Sequence, residues 1–293
     1  MLDWFKILRL FSRKPAALQQ DTVTNETPEP LTPWWGTFNL VDNESRFWKV
    51  GNQVICLDRY NDEWHIAHCP ADQFNPTIPA RAVDLPFKTF VLRNQGNDIT
   101  LSPTLPDRPV VSQLEHPLHI PAGEKITLYV SSPVWMKITT GKVPQILLDD
   151  IPTQTLSDTW FGLNTLEGEL CYASKTRCSS RLEEFSTSSE RIISPLLIKN
   201  RSKKTLILDQ LSVPLPYLSV YTDSVNRLWT EQLIIHRDGD DDPSVKVAKG
   251  APKAYTGTVT LLTEPRIDLK ASTSLKHLFC ILTGRSYIGH LHT

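Results

Sequence analysis

Apolar and polar residues alternate in short runs over most of residues 34–266, and that period of two predicts β-strands. Arg46–Gly51 and Gln53–Tyr60 read as paired strands turning at Gly51-Asn52, and Asn61-Asp62 marks the next turn. In the following strand, Glu63–His68, Trp64 and Ile66 share one face while His65 and Ala67 share the other. Residues 69–87 hold four prolines and no clear period, so they read as a long loop. Strands resume at Lys88–Arg93 and Asp98–Ser102 and continue to Val134–Ile138. Gly141–Thr159, interrupted by Pro144 and Pro152, reads mostly as connection. Beyond it, Gly168–Ser174, Tyr217–Tyr221 and Arg227–His236 carry strand pattern, and Asp238–Pro243 reads as a turn.

Two phrases occur twice. Trp34-Trp35-Gly36 is echoed by Trp160-Phe161-Gly162. Pro117–Val130 aligns with Pro195–Leu208 without a gap, sharing Pro, Leu, Ile, Lys, Thr and Leu. Each copy reads as strand, turn, strand. The expectation is an all-β chain of two tandem β-sandwich-like units, 34–150 and 151–266, consistent with an internal duplication.

The ends follow a different period. In residues 1–14, Trp4, Phe5, Ile7, Leu8 and Phe11 fall on one helical arc and Lys6, Arg9 and Arg13 on the other, with Leu2 and Leu10 intruding. The segment is too short to span a bilayer, and Lys6 and Arg9 interrupt any secretory apolar core. A basic amphipathic helix with Trp and Phe on its apolar face suits a membrane interface, and docking on its own domain is the equal alternative. Residues 15–33, rich in Pro, Thr, Gln, Asn and Glu, read as a flexible linker. In the tail, 267–293, Leu275, Leu278, Phe279 and Leu282 form a helical stripe, by default packed on the domain.

Composition narrows the class. The chain has 293 residues, 40% hydrophobic and 22% charged, in the range of a soluble globular protein. With 31 basic against 32 acidic residues there is no broad pull toward nucleic acid, and a nucleic-acid partner is not expected. Twenty-two prolines between apolar runs fit turns and strand edges. Five cysteines, Cys56, Cys69, Cys171, Cys178 and Cys280, show no CxxC spacing and point to reduced thiols in a cytosolic protein.

Candidate chemistry is sparse. His65, His68 and Cys69 cluster in sequence, as do His116 and His119, but an i, i+3 pair on a strand faces opposite ways, so no metal site is assigned. The carboxylates Asp238, Asp240, Asp241 and Asp242 lack the glutamate that a calcium loop needs and read as a solvated turn. No nucleophile elbow, phosphate loop or dinucleotide fingerprint is present, so no catalytic residue and no cofactor are named. Tyr217, Ser219 and Tyr221 share a face if Tyr217–Tyr221 is one strand, which would set Tyr217 and Tyr221 outward as a partner or ligand surface. Packing of Pro214 and Pro216 on those rings is an equal alternative.

At Trp34-Trp35-Gly36-Thr-Phe, Phe47-Trp48-Lys-Val-Gly51 and Glu63-Trp64-His-Ile-Ala67 the chain resembles an uncharacterised prokaryotic family, domain of unknown function 432. Phe161-Gly162 to Tyr172, Asn200-Arg201-Ser202, Pro214–Leu218 and Leu228-Trp229-Thr-Glu231 are similar as well. The resemblance implies no activity, cofactor or catalytic residue. It suggests a membrane-proximal accessory role, with a mechanosensitive channel as one partner.

The expectation is therefore a non-enzymatic bacterial accessory protein, cytoplasmic and peripheral at the inner membrane. Trp4, Phe5, Ile7, Leu8 and Phe11 would insert, and Lys6, Arg9, Arg13 and Lys14 would meet anionic headgroups. The alternative is a soluble β-sandwich binding module, with carbohydrate as the ligand and Trp35, Trp48 and Trp64 as the stacking platform.

Overall fold

A computed structural model describes residues 31–74, 86–93, 96–142, 144–162, 168–174, 178–185, 188–239, 244–253, 255 and 257–269. The amphipathic segment 1–14, most of the linker and the helical stripe 275–282 lie outside the described residues.

The described chain is nearly all β. In chain order the first strands are β1 (Gly36–Asn39), β2 (Ser45–Val50), β3 (Gln53–Tyr60), β4 (Glu63–Pro70) and β5 (Lys88–Val91). Next come β6 (Asp98–Thr104), β7 (Val110–Ile120), β8 (Lys125–Pro133), β9 (Trp135–Thr140) and β10 (Ile146–Pro152). Then follow β11 (Ser157–Phe161), β12 (Glu169–Ser174), β13 (Cys178–Ser179), β14 (Arg191–Asn200) and β15 (Leu206–Val213). The last five are β16 (Val220–Asp223), β17 (Leu228–Trp229), β18 (Gln232–Arg237), β19 (Ser244–Ala248) and β20 (Val259–Thr263).

These strands form four sheets. Sheet A runs β1-β6-β9-β10 and sheet B is the meander β2-β3-β4-β5. Sheet C runs β11-β12-β7-β15, and sheet D holds β13, β8, β14, β17, β16 and β20, with β18 and β19 joined to β14. Most pairings are antiparallel; β12 with β7, and β14 with β17 and β18, are parallel.

Sheet B forms as its turns dictate. Gly51 sits at φ +60, and a side chain there would also meet the Thr153 carbonyl at 3.0 Å, so glycine closes the β2–β3 turn. Asn61, at φ +52, closes the next. One face sends Trp48, Ile55, Leu57, Trp64 and Ile66 toward the main core. The other packs Val54, Cys56, Ala67 and Cys69 into a second cluster with Phe74 and Phe87. Strand β3 is thus buried on both faces.

The doubled phrase has a structural meaning. Each copy is a strand, a turn and a strand, but its two strands lie in different sheets: β7 in C leads to β8 in D, and β14 in D leads back to β15 in C. The copies pair with one another, Lys125 opposite Lys199 across β8–β14 and Ile120 opposite Leu206 across β7–β15. A strict twofold relation would set Pro121 opposite Lys203. The observed register is two residues away from that, and an even offset keeps every side chain on its face. The matched apolar positions, Leu118 with Leu196, Ile120 with Ile198 and Leu128 with Leu206, all contribute to the one main core. Sheets C and D therefore draw strands from both sides of residue 150, and the tandem duplication stays unconfirmed.

Where the two corners cross, Asn200 is fully buried. Its amide nitrogen faces the carbonyls of Ile120 (2.8 Å), Pro121 (3.0 Å) and Lys204 (2.8 Å). Its amide oxygen accepts from the Ser202 hydroxyl at 2.8 Å. Its backbone N–H donates to Glu124, and its carbonyl accepts from Gly123. One side chain so satisfies the bends of both phrases.

Three sequence expectations need correction. Gly141–Thr159 is largely strand, β10 and the start of β11; a bulge between Leu147 and Asp149 breaks the alternation that would have revealed it. Tyr217 belongs to a 3-10 turn, Leu215–Tyr217, set by Pro214 and Pro216, so it does not alternate with Tyr221. Arg227–His236 is two strands, parted at Thr230-Glu231.

Replacing Asn200 by Ala takes the side-chain donor from the buried Ile120 carbonyl, while Pro121 keeps the Glu124 N–H and Lys204 keeps the Ser202 hydroxyl, a loss of about 1–3 kcal/mol in unfolding free energy. Asn200→Asp points a carboxylate at those carbonyls and should cost still more. Urea unfolding measures both, and a loss below about 0.5 kcal/mol for the alanine variant would show the crossing to be dispensable.

Candidate functional site

The densest polar constellation lies at the β16–β17–β18 end of sheet D. Asp223, whose side chain is fully buried, accepts from the backbone of Val225 (3.0 Å) and Arg227 (2.9 Å). It also accepts from Arg227 Nε (2.8 Å) and Trp229 Nε1 (3.0 Å). The Arg227 guanidinium lies against both Trp229 and Tyr255, 5.4 and 5.7 Å from the ring centres. Buried Glu231 accepts from the Ser219 backbone at 2.7 Å and from the Tyr221 hydroxyl at 3.4 Å. Every acidic group here holds a turn or an aromatic ring in place. The arrangement positions the chain and leaves no free acid or base beside a nucleophile.

Of the two tyrosines singled out for a partner surface, Tyr217 is half-buried and packs on the main core. Tyr221 is half-buried too, its pKa raised by burial first and then by the charge of Glu231. The two do not form one outward row. Trp4, Phe5, Lys6, Ile7, Leu8, Arg9, Phe11 and Arg13 lie outside the described residues.

The histidines do not converge. His65 meets Glu63 at 2.9 Å, His68 is exposed toward the other face, and His116 and His119 are exposed along β7. Among the described residues no three His, Cys, Asp or Glu side chains group to hold a metal ion. The four described cysteines are free thiols. Burial pushes Cys171 and Cys178 up to about 12, and Cys56, beside Cys69 and Asp58, up to about 11. Such thiols stay protonated at neutral pH and are poor nucleophiles.

Glu169 is the carboxyl most displaced from its ordinary range. It stands opposite Phe161 on β11, and the neighbouring Cys171 approaches Ser212 at 4.0 Å. Burial raises its pKa to about 7, and among the described residues its Oε1 has no hydrogen-bond partner. Gly168, just before it, has no room for a side chain, since a Cβ would fall 2.1 Å from Trp160 Nε1.

Sequence reasoning missed a stack of two rings, between sheets A and C, covered at each end by an arginine. Arg266 lies over Trp135 (5.2 Å), Trp135 meets Tyr172 (6.2 Å), and Tyr172 is covered by Arg108 (5.2 Å). Asp150 pairs with Arg266, Asp158 with Arg108 at 3.0 Å, and Asp107 accepts from Tyr172 at 2.8 Å. These residues stand far apart in the chain, so no local spacing could announce them.

The tryptophans that open the family phrases are core elements: Trp34 donates to Ser189 at 2.8 Å, Trp48 leans on Phe38, and Trp64 and Trp229 are buried. Asn200, Trp229 and Glu231, from the later phrases, hold the bends described above. A family model described as protein of unknown function (DUF432) matches residues 34–283. The chain belongs to that family. The match covers most of its length and spans all four sheets. No curated protein and no solved structure matches it. The family's description assigns no activity.

Because the folded chain raises Glu169 from 4.5 to about 7, it holds that proton more tightly than the unfolded chain does. The associated stability is complete below about pH 4.5 and is lost as pH rises through about 7. Glu169→Gln should therefore match the wild type at pH 4 and exceed it at pH 8. Allowing for the group's partial exposure, the gain is about 1–2 kcal/mol, a rise in Tm of several degrees. Thermal unfolding at the two pH values measures it, and an equal difference at both would refute the assignment.

Proposed function

We propose that this chain is a non-enzymatic accessory protein that acts at the cytoplasmic face of a membrane, or on a protein embedded there. The observation that carries this reading is the sequence of residues 4–14, with Trp4, Phe5, Ile7, Leu8 and Phe11 on one arc and Lys6, Arg9, Arg13 and Lys14 available for headgroups. The described body meets the preceding segment at Leu31, whose N–H donates to the Val225 carbonyl at 3.2 Å. Asn226 donates to the Leu31 carbonyl at 2.6 Å. Twenty residues of sequence separate Phe11 from Leu31. Among the described residues, no helix is long and apolar enough to cross a membrane.

The carbohydrate reading finds no comparable support. The seven described tryptophans are buried or half-buried, and Trp48 and Trp64 point into the core rather than outward. A sugar ring needs an open aromatic face.

Four basic residues at about 1 kcal/mol each, with shallow aromatic insertion, give reversible attachment to anionic bilayers. Full-length protein should co-sediment with vesicles containing an anionic phospholipid, and a chain starting at Thr32 should lose most of that binding. Equal pelleting of the two, with the shorter chain shown to keep its thermal transition, would remove the proposal.

A further inference from the structure

The outward face of sheet D, around β8, β14, β18 and β19, brings together Lys125, Lys199 and Lys246 from three separate stretches of the chain. Side chains alternate along each strand, and the register sets the outward residues in rows. Lys125, Lys199, His236 and Ser244 form one row, and Thr127, Leu197, Ile234 and Lys246 form the next. Adjacent strands stand about 4.8 Å apart, so a row of four spans about 15 Å. Arg201 extends the patch just past the end of β14, and Lys203 follows in the same turn.

No carboxylate stands on these four strands. Lys125 and Lys246 are exposed and Lys199 half-exposed, and none of the three makes an ion pair among the described residues. Glu124 precedes β8, Asp238 follows β18, where it lies 3.7 Å from Arg201, and the sequence joining β18 to β19 also carries Asp240, Asp241 and Asp242. His236 registers the resulting field from inside the patch. Burial lowers its pKa first, the charges of Arg201, Lys199 and Lys246 lower it further, and Asp238 opposes them. Between the cations Leu197, Ile234 and Thr127 are half-exposed, so aliphatic groups lie among the ammonium heads.

We infer that this face of sheet D is a second membrane-contacting surface, laid flat against anionic lipid headgroups by Lys125, Lys199, Lys246 and Arg201. The choice of a lipid surface rests on the function proposed above; the charge pattern stands without it. A row of ammonium groups about 15 Å long on an open sheet face complements a plane of phosphates; a polynucleotide, whose phosphates would meet the same lysines, is the rival that the experiment separates. The contact is electrostatic and weakens as salt rises.

The test uses full-length protein with three sets of substitutions: Lys125→Glu with Lys199→Glu and Lys246→Glu, then Phe5→Asp with Leu8→Asp, then all five. Unaltered thermal transitions serve as the check on folding. Binding is read by co-sedimentation with neutral phosphatidylcholine vesicles, vesicles containing phosphatidylglycerol, and single-stranded DNA in solution. The lysine variant should bind anionic vesicles at least about tenfold more weakly than the wild type. The five-fold variant should fall to the level seen with neutral vesicles. If reversing the lysines changes nothing on either the wild-type or the Phe5/Leu8 background, the sheet-D surface is overturned while the N-terminal anchor stands. If the Phe5/Leu8 variant alone changes nothing, the anchor fails and the face is judged by its own variant. Lysine-dependent capture of DNA tighter than of anionic vesicles would overturn the lipid assignment.

Discussion

The fold hangs on one crossing, where two corners of the chain bend past each other and a single buried amide ties them. Strand β7 passes to β8 from sheet C to sheet D, and β14 passes to β15 in the opposite sense. Each turn closes part of its own hydrogen bonding, Glu124 N–H on the Pro121 carbonyl and the Ser202 hydroxyl on that of Lys204. Asn200 supplies donors to Ile120, Pro121 and Lys204, and its own backbone closes on Gly123 and Glu124. A buried carbonyl without a donor costs about 1–3 kcal/mol, and the Ile120 carbonyl takes its side-chain donor from Asn200. With these contacts formed, β14 is fixed against β8 on one side and against β17 and β18 on the other, and sheet D can assemble around it.

Other buried charges serve the same end. Asp223 satisfies two backbone N–H groups, the Arg227 guanidinium and the Trp229 indole. Glu231 faces Ser219 and Tyr221 across the break between β17 and β18. A carboxylate encircled by donors is anchored, and moving it would strip the donors of their partner. Glu169 stands apart, since burial favours its neutral form and, among the described residues, its Oε1 has no donor. It reads as a cost of packing β11 and β12 around Trp160 and Gly168.

The legible parts of this fold were those decided within ten residues. The β2–β3–β4 meander showed itself because Gly51 and Asn61 sit at positive φ and Trp64 and Ile66 keep strict alternation. The doubled phrase was visible as strand, turn and strand, but nothing local says that its strands part company into different sheets. Strand β10 was hidden by its bulge after Leu147 and by Pro152 at its end. Tyr217 was misplaced because Pro214 and Pro216 favour a 3-10 turn over continued extension. The Arg266–Trp135–Tyr172–Arg108 stack joins residues up to 158 positions apart, and pairwise contacts of that range leave no trace in spacing. The basic face is equally non-local, because Lys125, Lys199 and Lys246 become neighbours only through the register of β8, β14, β18 and β19.

Geometry also bears on how a basic segment and a basic face would act together. Leu31 is held at the β16–β17 turn, beside the end of β14 that begins at Arg191, whereas Lys199 and His236 lie at the other end. Ten residues of strand separate those ends by about 33 Å. The twenty residues from Phe11 to Leu31 reach at most about 66 Å, so covalent geometry lets both regions touch one bilayer at once. Each contact alone would be weak and reversible. Joined through the chain, the second becomes intramolecular once the first has formed, and its effective concentration rises toward the millimolar range. Two modest electrostatic contacts on one polypeptide could then hold it at a surface that neither would occupy for long by itself.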